Sequence, residues 1–278
     1  MLSEVRLVEI EIHSKCNRKC LWCPNRELDR TKFIEMSSSI YKKFLYELRD
    51  GNFSGTITYS RYNEPFYDIS LFKKRVKEAK SILPDVKLVT NTNGDFLSRE
   101  NLDGLLIDDL TIMDYDCIGL YQCQRRLIEL GVKITKLDYP YIYGTHKNIS
   151  KVLYFVDWPR HALFEDRGGF LRDKNLRWKN NRERRKRPCL EPRYFIAVDY
   201  NGNVTPCCHI RSDIKEHKPY ILGNLYQQDI VTIFYSDKAR KFRELLSSNK
   251  YDEYPFPCQH CQKDAGRYTR DNPSIDFD

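Results

Sequence analysis

Apolar and polar positions alternate from Val5 to Ile12, with Val8, Ile10 and Ile12 on one face and Leu7, Glu9 and Glu11 on the other, which predicts a strand. The period then changes. Ile40, Phe44, Leu45 and Leu48 recur at helical spacing between Ser38 and Arg49, and Thr56–Ser60 reads as a second strand. The same rhythm predicts helices near 69–82, 99–106 and 119–130 and strands at 86–91, 109–114, 132–138 and 151–156. Strands alternating with helices imply an α/β chain with a parallel sheet, here of about six βα units. From Pro159 to Pro192 the periodicity fades into polar and charged residues, as in a connection between domains. A hairpin follows, because Asn201-Gly202 separates the apolar runs Tyr194–Tyr200 and Asn203–Cys208. Ser236 and Asp237 then open a helix carrying Phe242, Leu245 and Leu246 on one side. The expected division is a barrel-like domain at 1–158, a linker at 159–188 and a small domain at 189–278.

With 278 residues, 41% of them hydrophobic, the chain can build a substantial core. No apolar run reaches bilayer length and the N-terminus opens as a charged strand, so the expectation is a cytoplasmic protein without a membrane segment. In that compartment ten cysteines are metal ligands sooner than disulfides. The formal charge of +8 is concentrated between Lys179 and Arg187, where six basic residues surround Glu183. Such a run is a solvated linker face or a contact for an anionic substrate or partner. The flanking aromatics Trp178 and Tyr194 are too few for a stacking platform, which argues against nucleic acid.

The chemistry lies in the cysteines. Cys16, Cys20 and Cys23 are spaced three residues and then two apart directly after the first strand. A loop with those gaps can turn three thiolates toward one iron–sulfur cluster, which normally takes four, one per iron. One iron is left for a small molecule to coordinate. A zinc knuckle using His13, or a disulfide, is the competing reading. A second set comprises Cys189, Cys207 and the pair Cys258-x2-Cys261, enough to ligate either a [4Fe–4S] cluster or a tetrahedral zinc. Cys117, Cys123 and Cys208 are left over. Buried packing accounts for the first two, and Cys208 could exchange with Cys207 as a ligand.

The triplet, with Trp22 before its last cysteine, resembles the radical S-adenosylmethionine (SAM) superfamily. That resemblance implies a partial (β/α)6 barrel with its chemistry at the strand carboxyl ends, where SAM chelates the open iron and is cleaved to a 5′-deoxyadenosyl radical. Tyr62-Asn63-Glu64-Pro65 looks like the family's Gly-Gly-Glu-Pro element, with Tyr62 and Asn63 replacing the glycines. Asn91-Thr92-Asn93-Gly94 is similar to its Thr-Asn-Gly turn beside SAM. The second cysteine set resembles the short "twitch" form of the SPASM domain, which implies an auxiliary [4Fe–4S] cluster rather than zinc. Further matches, including Glu9-x-Glu11 and Arg167-Gly168-Gly169, point to the alcohol-oxidising twitch enzymes. They imply substrate contacts from Glu9, Arg167, Cys208 and His209, a small polar substrate of aminocyclitol or sugar-like kind, and a one-electron donor such as flavodoxin or ferredoxin. In such chemistry Glu9 or His209 would take the alcohol proton. A thiol at Cys208 could instead return a hydrogen atom, making an epimerase. A peptide-modifying enzyme and a non-enzymatic metal-binding module are the remaining alternatives.

Overall fold

The structure, a computed structural model, describes residues 1–30, 32–171 and 184–261. Its strands are β1 (Leu7–Ile10), β2 (Thr56–Thr58), β3 (Lys87–Thr92), β4 (Asp109–Met113), β5 (Lys133–Asp138), β6 (Tyr141–His146), β7 (Ile149–Phe155), β8 (Phe195–Val198), β9 (Asn203–Thr205) and β10 (Gly223–Asn224). The α-helices are α1 (Ser38–Asp50), α2 (Ile69–Ile82), α3 (Arg99–Leu102), α4 (Leu120–Glu129), α5 (Trp158–His161), α6 (Glu191–Tyr194), α7 (Ile230–Tyr235), α8 (Asp237–Ser247) and α9 (Phe256–Gln259).

The helices form where the apolar stripe and a cap agree. In α1, Tyr41, Phe44, Leu45 and Leu48 are buried on one face. Asp68 caps α2 by accepting from Leu71 N at 2.9 Å, and Ser236 caps α8 by accepting from Ala239 N at 3.2 Å. The helix expected at 99–106 stops at Leu102, because Gly104 turns into the left-handed region at φ +73°.

All ten strands lie in one sheet, ordered β10-β9-β8-β1-β2-β3-β4-β7-β6-β5. From β8 to β7 the pairing is parallel throughout, and these six strands make the open, partial barrel. Its membership corrects the sequence reading in one respect. The segment 132–138 is not a parallel barrel strand: β5 pairs antiparallel with β6, which pairs antiparallel with β7. Only Tyr139 and Pro140 separate β5 from β6, and so short a connection can return the chain only antiparallel. The sixth parallel strand is β8, which docks on β1 in register Leu7↔Phe195 to Ile10↔Val198. The sheet therefore runs without a break from the barrel segment into the hairpin β8–β9.

The two faces of β1 serve different layers. Val8, Ile10 and Ile12 join the main core beneath α1 and α2. Leu7 packs on the other face against Phe195 and Ala197, with Cys208 and Tyr194 beside them. The loops following the parallel strands gather at one end of the barrel, where such folds place their chemistry.

Candidate active site and cluster pockets

Cys16, Cys20 and Cys23 line a cleft at that end of the sheet. Trp22, Tyr62, Asn63, Glu64, Asn91, Thr92, Asn93 and Arg167 share its wall, so three cysteines, seven of the eight residues expected around SAM and one expected substrate contact come together. Pro65 is buried at the first position of a short 3-10 turn and is not part of the wall.

Several contacts fix the cysteine loop. Glu64 N donates to Lys15 O at 2.9 Å, and Asn25 Nδ2 donates to Tyr62 O at 2.6 Å. Arg18, between the first two cysteines, forks onto two carboxylates: Nε donates to Asp95 Oδ2 at 2.6 Å and Nη1 to Asp116 Oδ1 at 2.8 Å. Asn17 joins the clasp through Asp95 and through Asn93. The loop is thereby tied to the ends of β3 and β4. Burial pushes the Cys16 thiol up to about 11 and the Cys20 thiol up to about 12, with repulsion from neighbouring thiolates adding to both. Thiols crowded in this way ionise when cations sit among them, so the donor set fits an iron–sulfur cluster.

Trp22 is one member of an aromatic group, stacked on Phe164 at 5.4 Å and tilted against Tyr115 and Trp158. Tyr115 and Trp158 also face the cleft. Neither was picked out from the sequence, although Tyr115 lies two residues beyond β4, at a strand end where site residues belong. Opposite them, Glu64 is buried and accepts from Thr92 Oγ1 at 2.6 Å, Asn93 N at 2.8 Å and Phe66 N at 3.1 Å. Burial raises its pKa to about 7 in spite of those three donors.

A buried polar network joins the cleft floor to the segment after β9. Arg30 Nη1 donates to Glu11 Oε1 at 2.7 Å and Nη2 to Asp213 Oδ2 at 3.1 Å. Arg211 binds the same Asp213 and donates to Asn25 Oδ1 at 2.9 Å, its guanidinium lying over the Tyr62 ring. Arg61 donates to Thr205 Oγ1 at 2.9 Å and to Ile210 O, and its Nε lies 3.5 Å from Glu9 Oε1. Glu9 is thus a buried member of this network and lines neither cavity.

The second cysteine set converges as well. Cys189, Cys207, Cys258 and Cys261 line a largely enclosed cavity together with His209 and Arg185. Burial pushes Cys189 up to about 11 and drives Cys207 and Cys258 higher still. Among the described residues no three His, Cys, Asp or Glu side chains meet as the ligands of a single ion. These thiols instead surround a space, and a cuboidal cluster takes its thiolates one per iron around a body of that kind.

Cys207 faces this cavity, whereas Cys208 lines neither and packs beside Leu7, Phe195 and Ala197. The Tyr62 hydroxyl donates to the Cys208 carbonyl at 2.7 Å. His209 is held between two groups, with Nε2 2.7 Å from Glu165 Oε2 and Nδ1 3.9 Å from Cys261 Sγ. Burial alone would lower the His209 pKa, but Cys208 and Glu165 hold it well above the ordinary histidine value. Arg167 stands two residues after Glu165 in the cleft wall, at φ +51° and with its Nε unpartnered. The segment 165–167 therefore lines the first cavity through Arg167 and meets the wall of the second through the contact of Glu165 with His209. Glu165 carries no sequence signal, being one charged residue among many, and Arg185 is marked only as a member of the basic run 179–187, with nothing to set it apart from its neighbours.

Comparison with known proteins agrees with this geometry. A family model described as SPASM, an iron-sulfur cluster-binding domain, matches residues 189–262. The S-adenosyl-L-methionine-dependent 2-deoxy-scyllo-inosamine dehydrogenase of Niallia circulans is 27% identical over 257 residues, 92% of this chain and 92% of that protein. The crystal structure of BtrN in complex with AdoMet and 2-DOIA is similar with a TM-score of 0.70 at 25% identity, covering 93% of each chain. That of anSMEcpe with bound AdoMet and Cp18Cys peptide matches in fold alone, with a TM-score of 0.54 at 12% identity, covering 88% of this chain and 84% of the other.

Proposed function

We propose that this chain, a radical SAM enzyme of the SPASM/twitch subfamily with two [4Fe–4S] clusters, oxidises a secondary alcohol of a small aminocyclitol or sugar-like substrate to the ketone. The observation that carries the reading is the pair of cysteine-lined cavities, joined by a short segment in which Arg167 lines the first and Glu165 binds His209 in the wall of the second. The substrate class follows from the similarity to the inosamine dehydrogenase along nearly the whole of both chains.

When bound, the cofactors supply a carbon-centred radical that takes a hydrogen atom from the carbinol carbon and a one-electron acceptor for what remains. Cys16, Cys20 and Cys23 would hold the SAM-binding cluster, and Cys189, Cys207, Cys258 and Cys261 the auxiliary one. Loss of that hydrogen atom leaves the alcohol one proton and one electron from the ketone. The protein must orient the alcohol and take its proton. Arg167 offers the cleft an N–H with no internal partner, a donor suited to a substrate oxygen. The Glu165–His209 pair, two residues from Arg167, is the carboxylate and imidazole available for the proton, whereas Glu9 lies on Arg61 and lines neither cavity. Glu64, with one lone pair of Oε2 uncommitted, suits the ammonium of SAM, and Trp22, Tyr62, Asn63, Asn91, Thr92 and Asn93 would form the rest of its seat. A flavodoxin or ferredoxin would deliver the reducing electron, and the cytoplasm is the compartment where such carriers and free thiols persist. Among the described residues no helix is long and apolar enough to cross a membrane.

The test is to replace Cys16, Cys20 and Cys23 together by Ala and to prepare the protein without oxygen. The wild type should hold about eight irons and the variant about four, with 5′-deoxyadenosine formation abolished. A variant that still cleaves SAM would refute the assignment of the cleft.

A further inference from the structure

The basic run that stood out in the sequence has a member with a specific place in the fold. Residues 179–183 lie outside the described residues, but Arg185 is described and is only 1% exposed, in a segment whose neighbours Arg184, Lys186 and Arg187 are not buried. An arginine leaves water at a large cost in free energy unless something inside compensates it. Its guanidinium donates to three backbone carbonyls: Nε to Arg187 O at 2.6 Å, Nη2 to Pro188 O at 2.7 Å and Nη1 to Cys261 O at 2.8 Å. Its own backbone N–H donates to Gln259 O at 2.7 Å. These carbonyls belong to the chain just before Cys189 and to the Cys258–Cys261 pair. One side chain therefore ties together both ends of the second cysteine set while its charge lies in the wall of the cavity they line.

We propose that Arg185 is a positioning residue that supplies the fixed positive charge of the auxiliary cluster. It would keep that cluster bound and make it a better electron acceptor. The inference rests on the reading that Cys189, Cys207, Cys258 and Cys261 hold a [4Fe–4S] cluster. Four thiolates outweigh the charge of the iron–sulfide core, so the bound cluster is an anion, and each added electron makes it more so. In a dry cavity that charge is weakly screened, and a guanidinium in the wall favours the reduced over the oxidised state. A cluster that must take one electron from a substrate radical gains driving force from such a cation. Arginine suits the position because its planar fork satisfies three carbonyls at once and it remains charged in any protein setting.

The experiment compares Arg185→Gln and Arg185→Lys in the full chain prepared without oxygen, reading iron content and the auxiliary cluster's midpoint potential by EPR-monitored titration. Carrying the Cys16, Cys20 and Cys23 to Ala changes in each background leaves only the auxiliary signal. The expected result is that Arg185→Gln either shifts the midpoint to more negative potential or sheds the auxiliary irons, and that Arg185→Lys, which keeps the charge, recovers most of the loss. The inference is overturned if the two variants behave alike, because geometry without charge would then explain the residue, or if both keep wild-type potential and iron. An arginine-containing parent without an auxiliary cluster would overturn instead the ligand reading on which the inference stands.

Discussion

At the scale of single residues, Glu64 shows how burial and function pull on one group. The carboxyl is enclosed, accepts three hydrogen bonds and still has a pKa raised to about 7. The unfolded chain ionises it near the ordinary value of 4.5, so between roughly pH 4.5 and 7 the folded state holds more of its proton than the unfolded state does. Stability from this group is therefore present at the acid end and lost as pH rises through that window, by on the order of 3 kcal/mol. Glu64→Gln is the informative change, because Ala would orphan Thr92 Oγ1, Asn93 N and Phe66 N. Thermal midpoints of the iron-loaded, SAM-free protein should fall from pH 5 to 7 in the wild type and stay flatter in Glu64→Gln, which should also bind SAM more weakly. An equal slope in both proteins would remove Glu64 as its source. Residues of this kind were legible because a short motif carries them: the cysteine spacings and the Glu64-Pro65 and Asn93-Gly94 turns are local in sequence. Partners such as Arg30 and Asp213, or Arg185 and Cys261, are separated by long stretches of chain, and nothing local marks them as a pair.

At the scale of elements, period and caps located most strands and helices to within a few residues, but pairing lay beyond them. The strand Tyr141–His146 went unread because Gly144 and His146 are its inward residues beside Ile142, so the buried face is not recognisably apolar. Gly144 is required there, since a Cβ would stand 2.6 Å from Val132 Cγ1. The hairpin at Asn201-Gly202 was legible from its turn, and Gly202 has φ +75°. Its docking on β1 was not, because two short apolar strands specify no partner edge. That docking has a measurable consequence. β8 completes the parallel sheet and covers the edge of β1, so residues 1–158 alone would expose an unpaired strand and the Leu7 face. Such a fragment should show no cooperative thermal transition by circular dichroism. A cooperative transition like that of the full chain would establish the first 158 residues as self-sufficient.

At the scale of the whole molecule, the barrel and the cysteine-rich segment act as one device. The sheet is continuous through β8, the Arg30–Asp213–Arg211 network locks the cleft floor to the chain beyond the hairpin, and Arg167 in the cleft wall lies two residues from Glu165, which binds His209 in the wall of the second cavity. On the proposed function the cleft generates the radical and the second cavity holds the electron acceptor, a division that suits net removal of two electrons from a substrate. Cys208, the thiol that would serve an epimerase, lines neither of these cavities. The most direct measurement uses an aminocyclitol carrying deuterium at the carbinol carbon, incubated without oxygen with SAM and a reductant. Dehydrogenation predicts that the deuterium appears in 5′-deoxyadenosine in step with the ketone formed, and that no hydrogen from solvent is found at that carbon. Recovery of the alcohol with inverted configuration and a solvent-derived hydrogen at the same carbon would contradict it.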